Sequence, residues 1–254
     1  MKFTFSGTGT STGIPMVACK CEVCMSDDPR DKRLRTSGIL QSEKTTLVFD
    51  TGPDFRTQML RHHIEWVDAI LYTHQHKDHT AGLDDVRPYN YLQNRNMPLY
   101  VSEAVEDHLR KEYYYVFERP DYPGLPKFTF ERVVHGKKFT VGDIDCLPIQ
   151  LMHGSLPILG YRCGDFAYLT DTNHIPATSK PLLQNLDILV IDALRKAEHY
   201  SHFTLKGALE AIEELKPQRA YLIHLSHLMG KYADVSMELP DNVFLSYDGL
   251  VIEW

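Results

Sequence analysis

Thr73-His74-Gln75-His76-Lys77-Asp78-His79 places three imidazoles and a carboxylate within six consecutive positions. With 13 histidines in 254 residues, a His-x-His-x-Asp-His spacing arises by accident on the order of 0.003 times per chain. The pattern therefore reads as chemistry. Imidazole and carboxylate are the ligand types that borderline cations such as Zn²⁺, Mn²⁺ and Fe²⁺ accept. Alternation through an extended turn would send His74 and His76 one way and Asp78 and His79 the other, which feeds two cations rather than one.

Working outward, the segment follows the apolar run Ile70-Leu71-Tyr72, and other polar residues also sit where such runs stop. Asp50 follows Leu47-Val48-Phe49, Asp171 follows Tyr168-Leu169-Thr170, Asp192 follows Leu189-Val190-Ile191, and His224 follows Tyr221-Leu222-Ile223. Strand ends on one rim of a sheet hold side chains more firmly than a free loop does. Short β-branched and aromatic runs predict strands over Phe3 to Phe5, Thr45 to Asp50, Asp68 to Thr73, Leu99 to Val101, Ile144 to Met152, Ile158 to Cys163, Phe166 to Thr170, Asp187 to Asp192, Arg219 to His224, Val243 to Tyr247 and Leu250 to Glu253. Helical spacing predicts helices over Asp54 to His63, Ser102 to Phe117, Lys180 to Asn185 and Thr204 to Lys216. Strands and helices mix along the whole chain, and no repeat or Gly/Ser linker divides it, so residues 1–254 read as one α/β domain. Periodicity alone fits both two packed sheets and a doubly wound sheet.

The composition is that of a globular protein, 43% hydrophobic and 24% charged. It excludes a disordered, collagenous or coiled-coil chain. A net charge of −7 provides no global positive field for nucleic acid or anionic membranes. Met1 to Gly7 contain no apolar leader core, and no run of about 18 apolar residues occurs, so the expectation is a cytoplasmic protein that does not enter membranes. Of the five cysteines, three fall in Cys19-Lys20-Cys21-Glu22-Val23-Cys24. In a reducing compartment that cluster suggests metal ligation. Three thiols are one short of a structural zinc site, and His227, three residues beyond His224, could supply the fourth ligand. Cys146 and Cys163 lie within apolar runs and read as small core residues.

His74-x-His76-x-Asp78-His79 resembles the signature of the metallo-β-lactamase fold, and the remaining pieces follow in that family's chain order: Asp50 in Asp50-Thr51-Gly52, His153 in Met152-His153-Gly154, Asp171, then His224. The resemblance implies an αβ/βα four-layer sandwich with a dinuclear site on one rim. It assigns His74, His76 and His153 to one cation, Asp78, His79 and His224 to the other, and Asp171 to both. Asp50 is then left to accept a hydrogen bond from a ligand imidazole. Three protein ligands and a shared carboxylate per cation leave positions open for a bridging hydroxide and for substrate. The expected cofactors are two catalytic divalent metals, Zn or Mn, and one structural Zn.

Gly7-Thr8-Gly9-Thr10-Ser11-Thr12-Gly13-Ile14-Pro15 leading into the cysteines, Gly82 to Pro88, Tyr200-Ser201-His202-Phe203-Thr204 and the late His224-x-x-His227 together look like the PhnP-type phosphoribosyl cyclic phosphodiesterases. This narrower resemblance implies that Cys19, Cys21, Cys24 and His227 hold the structural zinc and that His202 is a catalytic histidine, with Asp78 and Asp50 also in the catalytic set. It leaves His199 as a rival to His202. The expected reaction is hydrolysis of a small cyclic phosphodiester such as phosphoribosyl 1,2-cyclic phosphate, and the family analogy adds a homodimer. The alternatives are a ribonuclease Z-like tRNA 3′ endonuclease, a thioester or lactone hydrolase, and a non-catalytic metal-stabilised binding protein. A nuclease would use Glu118 to Lys138 as an ordered excursion over the site, carrying Arg119, Lys127, Arg132, Lys137 and Lys138. All seven ligand positions are filled, which argues against the binding protein.

Overall fold

A computed structural model describes residues 1–118 and 122–254. Two seven-stranded sheets pack face to face. The first contains β1 (Lys2–Gly7), β2 (Ser37–Gln41), β3 (Thr46–Phe49), β4 (Ala69–Leu71), β5 (Met97–Val101) and β6 (Phe128–Arg132). The second is built from β7 (Phe139–Val141), β8 (Ile144–His153), β9 (Leu156–Cys163), β10 (Phe166–Leu169), β11 (Ile188–Asp192), β12 (Arg219–Ile223) and β13 (Val243–Leu245). The last strand, β14 (Val251–Glu253), returns to the edge of the first sheet beside β1.

These strands are apolar on both faces because both are covered. Leu47 and Phe49 of β3 and Leu71 of β4 turn inward to Tyr161, Phe166, Tyr168, Val190 and Tyr221 of the other sheet, and Phe49 stacks on Tyr168 with ring centroids 4.5 Å apart. Val48 and Ile70, between them in sequence, turn outward to α1 (Phe55–Arg61), α3 (Arg87–Gln93) and α4 (Glu103–Glu112). On the far side, Leu189, Ile191 and Leu222 meet Ala208, Ile212 and Leu215 of α6 (Leu205–Leu215). Helix α6 starts where Thr204 Oγ1 accepts the Gly207 N–H at 3.0 Å, an N-cap of the usual kind. The result is the expected four-layer αβ/βα sandwich.

Strands β3 to β6 run parallel, as do β10 to β13. Their carboxyl ends open on one rim, the usual place for a ligand in such sheets. Asp50 and His224 terminate their strands in the left-handed region, with φ of 61° and 60°.

Several expectations need correction. The extended turn at His74 to His79 is only half extended: His76 has β backbone and caps α2 (Lys77–Thr80), so Asp78 and His79 sit on a helical turn. The excursion over Glu118 to Lys138 contains a strand, since Phe128-Thr129-Phe130-Glu131-Arg132 has a strand's alternation and pairs with β5; Arg119, Pro120 and Asp121 lie outside the described residues. Ser102 to Phe117 is two helices, α4 and α5 (Tyr114–Glu118), separated at Tyr113. Lys180 to Asn185 shrinks to a single 3₁₀ turn over Lys180–Leu183. Strand β2 gives no sequence signal because its apolar run is only Ile39-Leu40, with Ser37-Gly38 before it. That glycine is required by packing, since a Cβ there would fall 2.2 Å from Phe3 Cζ. Among the described residues, no helix is long and apolar enough to cross a membrane.

The Gly38→Ala substitution should therefore destabilise the fold by about 1–3 kcal/mol, the usual cost of overpacking a filled core. Urea unfolding measures it, and a change under about 0.5 kcal/mol, the range of neutral surface substitutions, would show that Phe3 does not pack on this strand.

Candidate metal centre

The rim gathers the histidines and acids that end the strands. One group is His74, His76 and His153, and a second is Asp78, His79, Asp171 and His224; within each, potential ligand atoms lie no more than 4.8 Å apart. Asp171 comes from the end of β10 in the second sheet and His79 from α2 beside the first. His79 Nε2 lies 3.0 Å from Asp171 Oδ2, His224 Nδ1 is 2.8 Å from Asp171 Oδ1, and His74 Nε2 is 3.8 Å from Asp171 Oδ2. The carboxylate thus faces both groups.

Asp50 orients two of these imidazoles. Its Oδ2 accepts the His79 Nδ1–H at 2.7 Å, which turns Nε2 toward Asp171. The same oxygen accepts Thr73 Oγ1–H at 2.8 Å, and that hydroxyl lies 3.0 Å from His74 Nδ1, so its lone pair can receive the His74 proton. The Thr73 backbone N–H holds the other Asp50 oxygen at 2.8 Å. His153 donates Nδ1–H to the Ser201 carbonyl at 2.9 Å, leaving its Nε2 available. Thr10 and Thr36 hydroxyls flank His224 at 3.0 and 3.1 Å.

The electrostatics ask for a cation. Asp50, Asp78, Asp171 and Asp192 are buried or nearly so, and among the described residues their ion-pair partners are histidines, with no Lys or Arg. With His79 Nδ1–H given to Asp50, its Nε2 lone pair would face an anionic oxygen at 3.0 Å. Either a proton or a metal must lie between them. Burial opposes the His79 imidazolium, but Asp171, Asp78 and Asp50 outweigh it and hold its pKa well above the ordinary value. Burial likewise opposes ionisation of Asp171, yet His224 and His79 hold it well below. His74 and His153 are pushed down by burial, His153 to about 4, and are neutral donors at physiological pH. The donor set fits two divalent cations.

Cys19, Cys21, Cys24 and His227 form a separate group. The sulfurs of Cys19 and Cys21 stand 3.4 and 3.2 Å from His227 Nδ1. Ordinary Zn–S and Zn–N bonds at a tetrahedral angle place sulfur and nitrogen about 3.5 Å apart, so these positions fit zinc. The His227 hydrogen bond lowers the Cys21 pKa to about 6, whereas burial pushes Cys24 up to about 11. Cys146 and Cys163 are buried cross-strand neighbours in β8 and β9, away from both groups.

His202 lies beside the cluster, with its ring centroid 4.6 Å from that of His153 and 4.8 Å from that of His224. Its Nδ1 is 3.3 Å from both oxygens of Asp192, which also accepts the Phe203 N–H at 3.0 Å. Sequence reading noticed Asp192 only as an acid at a strand end, because nothing local links it to a histidine ten positions later. Thr73 and Thr10 stand inside the quoted motifs with no role assigned by sequence, and Thr36 lies outside them. His199 is farther out, its ring 5.0 Å from that of His202.

The sequence model of the beta-lactamase superfamily domain matches residues 45–225. A solved structure described as a new diphosphatase from the PhnP family superposes with a TM-score of 0.93 at 39% identity, covering 100% of this chain and 97% of that one. A protein of Porphyromonas gingivalis named octanoyltransferase is 39% identical over 98% of this chain. The chain spans about half of that relative's length (51%). The exodeoxyribonuclease WalJ of Streptococcus pneumoniae is 28% identical over 76% of this chain and 77% of its own.

Two expectations follow. Elemental analysis should find about three divalent ions per chain, and Cys24→Ser should lower this to about two together with the melting temperature; a count of two in the unaltered protein, with Cys24→Ser equally stable, contradicts the cysteine site. Zinc loading of metal-free protein near neutral pH should release protons, because the proton held on His79 and the thiol proton of Cys24 must leave, so affinity rises with pH. Calorimetry in buffers of different ionisation enthalpy measures the release, and none at all contradicts the assignment.

Proposed function

Because the chain belongs to the beta-lactamase superfamily and has the metallo-β-lactamase fold, we propose that it is a hydrolase that cleaves a P–O bond in a small phosphodiester, a cyclic sugar phosphate being the expected form. The observation that carries this reading is the Asp192–His202 pair. It adds an imidazole to the two ligand sets assigned above, fixed by a buried carboxylate, placed beside His153 and His224, and near enough to Asp171 and His224 to form a further group with them.

His74, His76 and His153 would hold one cation and Asp78, His79 and His224 the other, with Asp171 shared. Bound there, the cations would neutralise the phosphoryl oxygens and supply an acidified water. Asp50 and Thr73 keep the His79 and His74 imidazoles in the tautomers that present Nε2. As the oxygen of the water, which has released one proton to solvent, bonds to phosphorus, the bond to the departing alkoxide breaks on the opposite side, and that alkoxide oxygen takes a proton. His202 is placed to give it. With Nδ1 facing Asp192, the proton to be given lies on Nε2. Burial pushes Asp192 well up and His202 down, so the pair shares one proton, which ends on Nδ1 once Nε2–H has been donated.

The PhnP-family diphosphatase supports phosphorus over carbonyl chemistry. The octanoyltransferase name belongs to a protein of about twice the matched length, and none of the five cysteines lies in the catalytic groups. The net charge of −7 argues against a nuclease, as does the engagement of Arg132 with Glu103 and Glu106 and of Lys138 with Asp145. A homodimer remains a proposal resting on family analogy.

His202→Ala should lose about 10²- to 10⁴-fold in kcat on a cyclic sugar phosphate, where the alkoxide needs an acid. On bis(p-nitrophenyl) phosphate, whose leaving group departs unaided, the loss should be smaller, with metal content unchanged. Equal losses on both would make His202 a stabiliser of phosphoryl charge, and no loss on either would overturn its role.

A further inference from the structure

The chain leaves the catalytic groups after Leu194 and returns to them at His202, and the tip of this loop carries Tyr200, a residue 82% exposed. The loop is braced from several directions. Leu194 N–H donates to the Phe203 carbonyl and Leu205 N–H to the Arg195 carbonyl, both at 2.9 Å. Arg195 turns back on its own loop, donating from Nη2 and Nε to the Glu198 and Ala197 carbonyls at 2.6 and 3.2 Å. Asn173 ties the tip to the neighbouring strand end, donating to the Tyr200 carbonyl at 3.1 Å while accepting the Gly154 N–H at 2.8 Å. An exposed ring on so fixed a backbone loses little freedom when something stacks on it.

Its position is tied to the chemistry. The Tyr200 ring lies over Gly154, the residue after His153; a Cβ there would stand 3.4 Å from Tyr200 Cε2. The ring centroid is 5.1 Å from that of His199, at an interplanar angle of 32°, and His199 is 5.0 Å from His202. A line of rings therefore runs outward from the cluster and ends on an aromatic face open to solvent. Neither Tyr200 nor His199 has a part in the phosphoryl chemistry above.

We propose that Tyr200, backed by His199, is a stacking platform for a planar heteroaromatic ring, and that the substrate is a nucleotide-class phosphoryl compound whose base lies on Tyr200 while its phosphoryl group meets the cations beside His153 and His202. This deepens the phosphohydrolase reading and rests on it. Base–aromatic stacking is sequence-tolerant because every base has a π-face, so the platform selects for the presence of a base and not for its identity.

The test is calorimetric binding of AMP and of ribose 5-phosphate to the metal-loaded protein. AMP should bind at least about tenfold tighter, the order of one stacked base. Tyr200→Ala should collapse that ratio toward one, and Tyr200→Phe should keep it. Equal affinities in the unaltered protein, a ratio that survives Tyr200→Ala, or no AMP binding would each overturn the platform. Turnover of bis(p-nitrophenyl) phosphate by the same preparation then tells the two readings apart: if it persists, the platform alone falls, and if it is absent, the phosphohydrolase reading falls as well.

Discussion

The arrangement depends on one buried carboxylate. Asp171 stands at the meeting of the two sheets with His79 on one oxygen and His224 on the other, and among the described residues no Lys or Arg pairs with it. Burying an anion costs several kcal/mol unless it is compensated. Here the compensation comes from imidazoles whose remaining nitrogens are claimed by Asp50 and by the Thr10 hydroxyl. Asp78, which His79 holds well below the usual carboxylate range against the opposing effect of burial, adds to the same pocket of negative charge, while burial pushes Asp50 and Asp192 up. Cations would relieve all of it at once, so metal binding and the joining of the two sheets at this rim are coupled.

The fold makes such a concentration tolerable. Parallel strands from both sheets end on one rim, so each acid or histidine is delivered by a strand whose remaining residues are locked into a core. Asp50 and His224 adopt left-handed backbone at the point where their strands stop, which turns the side chain across the rim. Strain of this kind persists where the surroundings over-determine the conformation. The Arg195 to Phe203 loop adds a second tier: Ser201 orients His153 through its carbonyl, His202 faces Asp192, and Tyr200 forms the outer edge.

Much of this was legible in the sequence, for a physical reason. His-x-His-x-Asp-His is dense enough to defeat chance, and the strands are buried on both faces, so runs such as Leu47-Val48-Phe49 announced themselves and so did the polar residue that ended each. Legibility failed where the determinant is non-local. Ser37–Gln41 carries a glycine because the Phe3 ring fills the space a Cβ at Gly38 would need, and its pairing with β1 is visible in no local pattern. Phe128–Arg132 gives no strand signal in sequence because its alternation is short and half exposed. The helical turn at Asp78 and His79 was hidden by the metal motif, whose spacing suits either backbone. Asp192 differs from any other strand-end acid only through its contact with His202, and the threonines around the histidines are common residues whose roles depend entirely on what they face.

The most direct measurement is the metal content and activity of Asp171→Ala after gel filtration. If one carboxylate serves both cation groups, the substitution removes both exchangeable ions and the hydrolytic activity together, leaving about one ion per chain, the one held by the cysteines. Retention of about three ions with activity intact would contradict a shared Asp171 and with it the dinuclear centre.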